Sequence, residues 1–98
     1  MARFDVYRLA NGILVLDIQA DLLSDFKTRV VAPLLIAKTT PRSLERLHPI
    51  FEIDGQDYVM ATHLIAAVPV RELGPVAASL ADRHEAIMAA IDLLVTGY

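Results

Sequence analysis

Ile50-Phe51-Glu52-Ile53-Asp54-Gly55-Gln56-Asp57-Tyr58-Val59-Met60 reads as a complete β-hairpin. Ile50, Phe51 and Ile53 lead in, Tyr58, Val59 and Met60 return, and Asp54-Gly55 sits between them. An Asp-Gly or Asn-Gly pair flanked by β-rich runs is the strongest short hairpin signal, because both turn residues tolerate positive φ. The same signal stands near the start of the chain. Phe4, Val6 and Leu9 run up to Asn11-Gly12, and Ile13 to Ile18 follow. Asn11-Gly12 is therefore expected to form a type I′ turn.

Two further apolar segments, Val30 to Ile36 and Val68 to Leu73, each contain a proline. Proline cannot donate to a strand ladder, so Pro33 and Pro69 predict edge strands or bulges. Between them, Lys38 to Pro49 carries Pro41, Pro49 and several basic residues, and reads as an exposed loop. The pattern changes after Gly74-Pro75. Val76, Leu80, His84, Ile87, Ile91, Leu94 and Val95 recur at helical spacing, with alanines between them. The predicted helix runs either unbroken from Pro75 or from near Asp82, and Gly97 ends it. The fold class is α+β, mainly β: an antiparallel sheet or small barrel closed by one C-terminal helix.

Composition narrows the function. The 98 residues suit a single domain, residues 1–98, that buries roughly 60–68% of its unfolded surface. The chain is 55% hydrophobic and 21% charged, which excludes disorder. Val30 to Ala37 is the longest apolar stretch, far short of the roughly 20 residues a bilayer span needs. An apolar excess in so small a domain points to a homo-oligomer. A net charge of −3 argues against nucleic acid as a direct partner, since phosphate binding needs clustered cations. Cysteine is absent, which removes thiolate chemistry and Cys-based zinc sites. The N-terminus lacks an apolar signal region, so a cytoplasmic protein is expected.

Catalytic motifs are not found. His48, His63 and His84 lack metal-ligand spacing, and His84 is expected on the inner face of the helix. No serine has a nucleophile-elbow setting, and no glycine-rich phosphate loop occurs. Asp17, Asp21 and Asp25 recur every four residues and read as a solvated strand end. The expectation is therefore no enzyme, no catalytic residue, no cofactor and no metal. Leu22-Leu23, an apolar pair between strands, reads as core. Tyr98 either docks on its own sheet or projects toward a partner.

Leu16-Asp17-Ile18-Gln19-Ala20-Asp21-Leu22-Leu23, then Arg29-Val30-Val31-Ala32-Pro33-Leu34, then Leu47-His48-Pro49-Ile50, resembles the CcdB family of toxins. So do Met60-Ala61-Thr62, Ala67-Val68-Pro69-Val70 and the closing helix with its penultimate glycine. The resemblance covers nearly the whole chain in order, with a shorter first hairpin. It implies an SH3-like barrel, a homodimer and the toxin of a type II toxin–antitoxin module of the kind linked to plasmid maintenance. Such a toxin binds the A subunit of DNA gyrase, traps its cleavage complex, and meets DNA only through that enzyme. A CcdA-like antitoxin with a disordered tail neutralises it. The family's gyrase-contacting end is a Trp-Gly-Ile tripeptide; here Thr96, Gly97 and Tyr98 stand in those places. Leu22, Leu23, Asp92 and Val95 fall on the assisting positions. Lys38, Arg42 and Arg46 are the cations expected to meet the antitoxin's acidic tail. Two other readings are an endoribonuclease of the related MazF type, and a non-toxic homologue that only binds antitoxin tails.

Overall fold

A computed structural model describes residues 2–41 and 44–97. Its strands are β1 (Asp5–Arg8), β2 (Leu14–Asp17), β3 (Thr28–Ile36), β4 (Ile50–Ile53), β5 (Gln56–Met60), β6 (Ala66–Pro69) and β7 (Val76–Ser79), and the helix is α1 (His84–Thr96). The strands form one antiparallel sheet in the order β4-β5-β3-β2-β1-β7, with β6 beside the first half of β3. The sheet curls into a half-barrel, and the helix closes its inner face. This is the mainly-β architecture expected from the sequence.

Both hairpins form, by different turns. Asp54 and Gly55 have φ of 52° and 79°, and Ile53 pairs with Gln56, which is the two-residue type I′ connection. At the first hairpin only Gly12 has positive φ, at 89°. The Gly12 N–H donates to the Leu9 carbonyl at 2.9 Å, and the Leu9 N–H donates to Ile13 at 2.9 Å. That is a three-residue loop, an ordinary turn followed by a left-handed glycine, so the expected type I′ turn is corrected. The Asn11 side chain accepts the Ile13 N–H at 3.0 Å and helps hold it.

Pro33 lies in a central strand, contrary to the edge expectation. The β3 residues Thr28 to Val31 pair with β6, whereas Leu34 to Ile36 pair with β5. Pro33 falls where the neighbour changes. Its carbonyl accepts the Ala61 N–H at 2.8 Å, so its nitrogen also points to that side, where no ladder bond is needed. Pro69 ends the edge strand β6, as expected.

Residues 76–79 are strand, not helix. A β-carbon at Gly74 would run into the Arg8 carbonyl oxygen, so the backbone passes β1 at a distance only glycine allows. The Gly74 N–H donates to that carbonyl at 3.1 Å, and β7 continues antiparallel along β1. Pairing the open edge of β1 outweighs the helix propensity of a few alanines, which is worth only tenths of a kcal/mol per residue. The helix begins at His84, whose side chain is exposed rather than inward.

Alternation sorts the two faces of the sheet. Val6, Leu14, Leu16, Ala32 and Leu34 face inward and pack with Phe51, Met60, Ile87 and Ala90. Each fully buried Val, Leu, Ile or Phe contributes roughly 1.5–3 kcal/mol. On the other face Tyr7, Val15 and Val31 form a smaller cluster. Burial, then the Asp5 and Asp17 carboxylates, raises the Tyr7 phenol above its ordinary value. Among the described residues no helix is long and apolar enough to cross a membrane.

Candidate partner-binding site

The connection from β2 to β3 presents its apolar side chains to solvent. Leu22 is 92% exposed, which corrects the core reading, and Leu23 is 39% exposed. This connection is tightly held. The Leu23 N–H donates to Ala20 at 2.9 Å and the Ser24 N–H to Asp21 at 3.1 Å. The Gln19 side chain clamps both ends: its amide nitrogen donates to the Leu23 carbonyl at 2.9 Å, and its oxygen accepts the Val30 N–H at 3.0 Å. An apolar group fixed in water by such bonds loses little entropy when a partner covers it.

Beneath the connection lies a buried ion pair. Arg29 Nε and one terminal nitrogen donate to Asp17 Oδ2 at 2.9 and 2.6 Å, and both side chains are fully buried. Asp17 Oδ1 accepts the Gln19 N–H at 3.0 Å. Asp17 is therefore no solvated strand end. Asp21 does lie at the surface, where its carboxylate accepts the Arg3 N–H at 2.8 Å.

Arg3 also reaches the helix, donating to the Met88 sulfur at 3.0 Å. Asp92 and Val95 follow Met88 by four and seven residues and share its side of α1. Arg3 thus links the connection bearing Leu22 to the Met88 turn of the helix, one and two turns before Asp92 and Val95. Val95 is 74% exposed. Gly97 ends the helix with φ 80°, its N–H capping the Leu93 carbonyl at 3.0 Å. The Thr96 hydroxyl turns back and donates to the Asp92 carbonyl at 2.6 Å. Tyr98 lies outside the described residues.

Asp92 stands near the negative end of the helix dipole, and the last turn has no basic residue. An acid there costs stability, as partner-binding positions often do. Asp92→Asn is expected to raise the melting temperature by a few degrees and to weaken partner binding, read by thermal circular dichroism beside a binding assay.

The proposed antitoxin cations do not join this patch. Lys38 follows β3, at the opposite end of that nine-residue strand from the connection bearing Leu22. Arg46 lies beside Arg83 and the first turns of the helix, and Arg42 lies outside the described residues. The structure does bring together two histidines that the sequence separates. His48 Nε2 and His63 Nδ1 are 3.0 Å apart, with rings edge to face. The bond ties the loop before β4 to the turn after β5. No group of three metal-ligating side chains occurs among the described residues.

A family profile described as CcdB protein matches residues 3–97. The chain belongs to the CcdB family. Two solved structures share its fold. The first, described as the crystal structure of an Mtb toxin, has a TM-score of 0.71 and 23% identity, covering 88% of this chain and 94% of its own. The Mycobacterium tuberculosis toxin MazF-mt6 also has a TM-score of 0.71, with 22% identity and 93% of each chain covered. At these identities the likeness speaks for the fold. CcdB-family membership supports a toxin's role for the chain, and with it an antitoxin partner.

Proposed function

We propose that this CcdB-family chain is a homodimeric, non-enzymatic toxin that binds the A subunit of DNA gyrase and traps the enzyme's cleavage complex. The observation that carries this reading is the exposure of Leu22 and Val95, on a connection and a helix that Arg3 links, in a chain matched to the family over residues 3–97. Gyrase engages Leu22, Leu23, Asp92 and Val95 together with the tail Thr96, Gly97 and Tyr98. A CcdA-like antitoxin neutralises the toxin in the cytoplasm, with Lys38, Arg42 and Arg46 as its electrostatic contacts. Gyrase supercoiling and DNA-cleavage assays with the purified chain test the target. Accumulated cleaved DNA is the expected result. Intact gyrase function with RNA cut instead would put the MazF-type ribonuclease reading in its place.

The dimer face follows from the outer side of the sheet. Val15, Val31, Pro33, Leu35, Leu64 and Val68 line an apolar hollow of about 270 Å³. Leu64 is 49% exposed there. Covering such a face is what an apolar excess in a small domain calls for. Light scattering at micromolar concentration is expected to give twice the chain mass of 10.8 kDa. Val68→Glu, which sets a charge into the face, is expected to halve the measured mass.

A further inference from the structure

Phe26 has no part in the reading above. It is 58% exposed at the end of the β2–β3 connection, where its N–H donates to the Leu23 carbonyl at 3.2 Å. Next to it, the Lys27 carbonyl accepts the Val70 N–H at 2.8 Å. That bond and the Thr28–Pro69 pairing join this segment to the turn Val70–Glu72. Between the two segments, Ser24, Phe26, Lys27, Val70 and Arg71 line a hollow of about 300 Å³. Its walls are fixed by backbone hydrogen bonds, so the hollow exists before anything enters it.

Charge distinguishes this hollow from the dimer face. Lys27 and Arg71 stand at its rim, and among the described residues neither makes an ion pair. The chain has 12 acidic residues against nine basic ones, so two cations lining one hollow beside an exposed aromatic ring form a local exception. The complement is a carboxylate on each side of a bulky apolar side chain. A nucleic-acid backbone fits less well, because it needs a run of cations and the lining holds two. We infer that this hollow is a docking site for an acidic peptide segment of a partner protein, anchored by one apolar side chain against Phe26 and held by Lys27 and Arg71. Its lining residues are other than Leu22, Val95, Lys38 and Arg46, although Phe26 is bonded to Leu23 in the same connection.

The test uses the full chain, labelled with ¹⁵N, and a fluorescein-labelled peptide of Leu-Phe flanked by glutamates. A twin peptide has lysines in place of the glutamates. Amide shifts are expected at Ser24, Phe26, Lys27 and Arg71, with the twin binding more weakly and added salt weakening the acidic peptide. Phe26→Ala is expected to reduce affinity about tenfold, the loss that accompanies removal of a buried apolar anchor. Lys27→Glu with Arg71→Glu should abolish acidic-peptide binding and favour the twin. These side chains are exposed, and an unchanged melting curve shows that the variants fold. Shifts centred on Lys38 and Arg46, equal binding of the twin, or no shifts at millimolar peptide would overturn the inference. So would displacement of the peptide by an oligouridine at the same amides. The mixture holds no gyrase, so its outcome is independent of the proposed target.

Discussion

Truncation after Val95 is expected to leave a folded chain that no longer traps gyrase. The structural loss is small. It removes the Gly97 bond to Leu93 and the Thr96 bond to Asp92, each at the exposed end of the helix. A bond of this kind contributes about 1 kcal/mol. The loss of binding is larger, because a truncated anchor residue at an interface costs about 2 kcal/mol or more. At about 1.4 kcal/mol per tenfold, two such anchors are worth roughly a thousandfold. A dimer presents the tail twice, so truncation also removes the bivalent advantage. Growth inhibition on induction and the cleavage assay should both vanish, while the chain still melts in one cooperative transition, its midpoint lower by roughly 8–16 °C.

Two substitutions refine this expectation. Gly97→Val places a β-branched residue at φ 80°, although nothing crowds a β-carbon there. The strain falls on the cap, so the chain should fold while its tail leaves the present path. Gly97→Asn, which tolerates the left-handed region, should retain much of the activity. Thr96→Trp restores an aromatic where the family carries one. A cation–π contact contributes about 0.5–2 kcal/mol, so trapping should strengthen by up to about thirtyfold. A truncated chain that poisons gyrase as well as the full one would move the contact to Leu22, Leu23, Asp92 and Val95.

How far the sequence could be read depended on how local each signal was. The Asp54-Gly55 turn is written in adjacent residues, and it forms as read. Asn11-Gly12 correctly marks a hairpin, but the flanking strands accept a loop one residue longer, with Asn11 outside the left-handed region. Val76 to Ser79 misled, because its place is set by Gly74 pressing against Arg8, more than sixty residues away. Pro33 misled in the same way: a strand that changes neighbours at its middle leaves one nitrogen with nothing to donate to.

The candidate site was legible in outline only. Leu22, Leu23, Asp92 and Val95 came from family resemblance, and burial then showed that Leu22 stands in water rather than in the core. Phe26 was passed over although it is exposed, because a lone aromatic between charged residues carries no periodicity to read. His48 and His63 meet only through the turn after β5. Asp17 and Arg29 are twelve residues apart and look like ordinary surface charges. Their partnership depends on β2 and β3 lying side by side.

That buried pair supplies the other large expected effect. Asp17→Ala would leave the Arg29 guanidinium fully buried without its carboxylate. Breaking such a pair on one side costs about 3–5 kcal/mol. Domains of this size have only about 5–15 kcal/mol of stability, and 1 kcal/mol moves the midpoint by about 4–8 °C. A melting temperature lower by roughly 12–40 °C is therefore expected. Asp17→Leu with Arg29→Met replaces the pair by apolar groups of similar size, and most of the lost stability should return. The Gln19 N–H, however, donates to Asp17 Oδ1, and Gln19 in turn clamps Leu23 and Val30. In the double variant that N–H has no acceptor, so the connection carrying Leu22 should loosen although the core holds. Hydrogen exchange at residues 20–24 should quicken, and gyrase binding should weaken about tenfold, the effect of losing one positioned anchor. If the double variant regains native stability, slow exchange and full binding together, the pair serves the core alone. Loss of binding with stability restored would make Asp17 a positioning residue for Leu22.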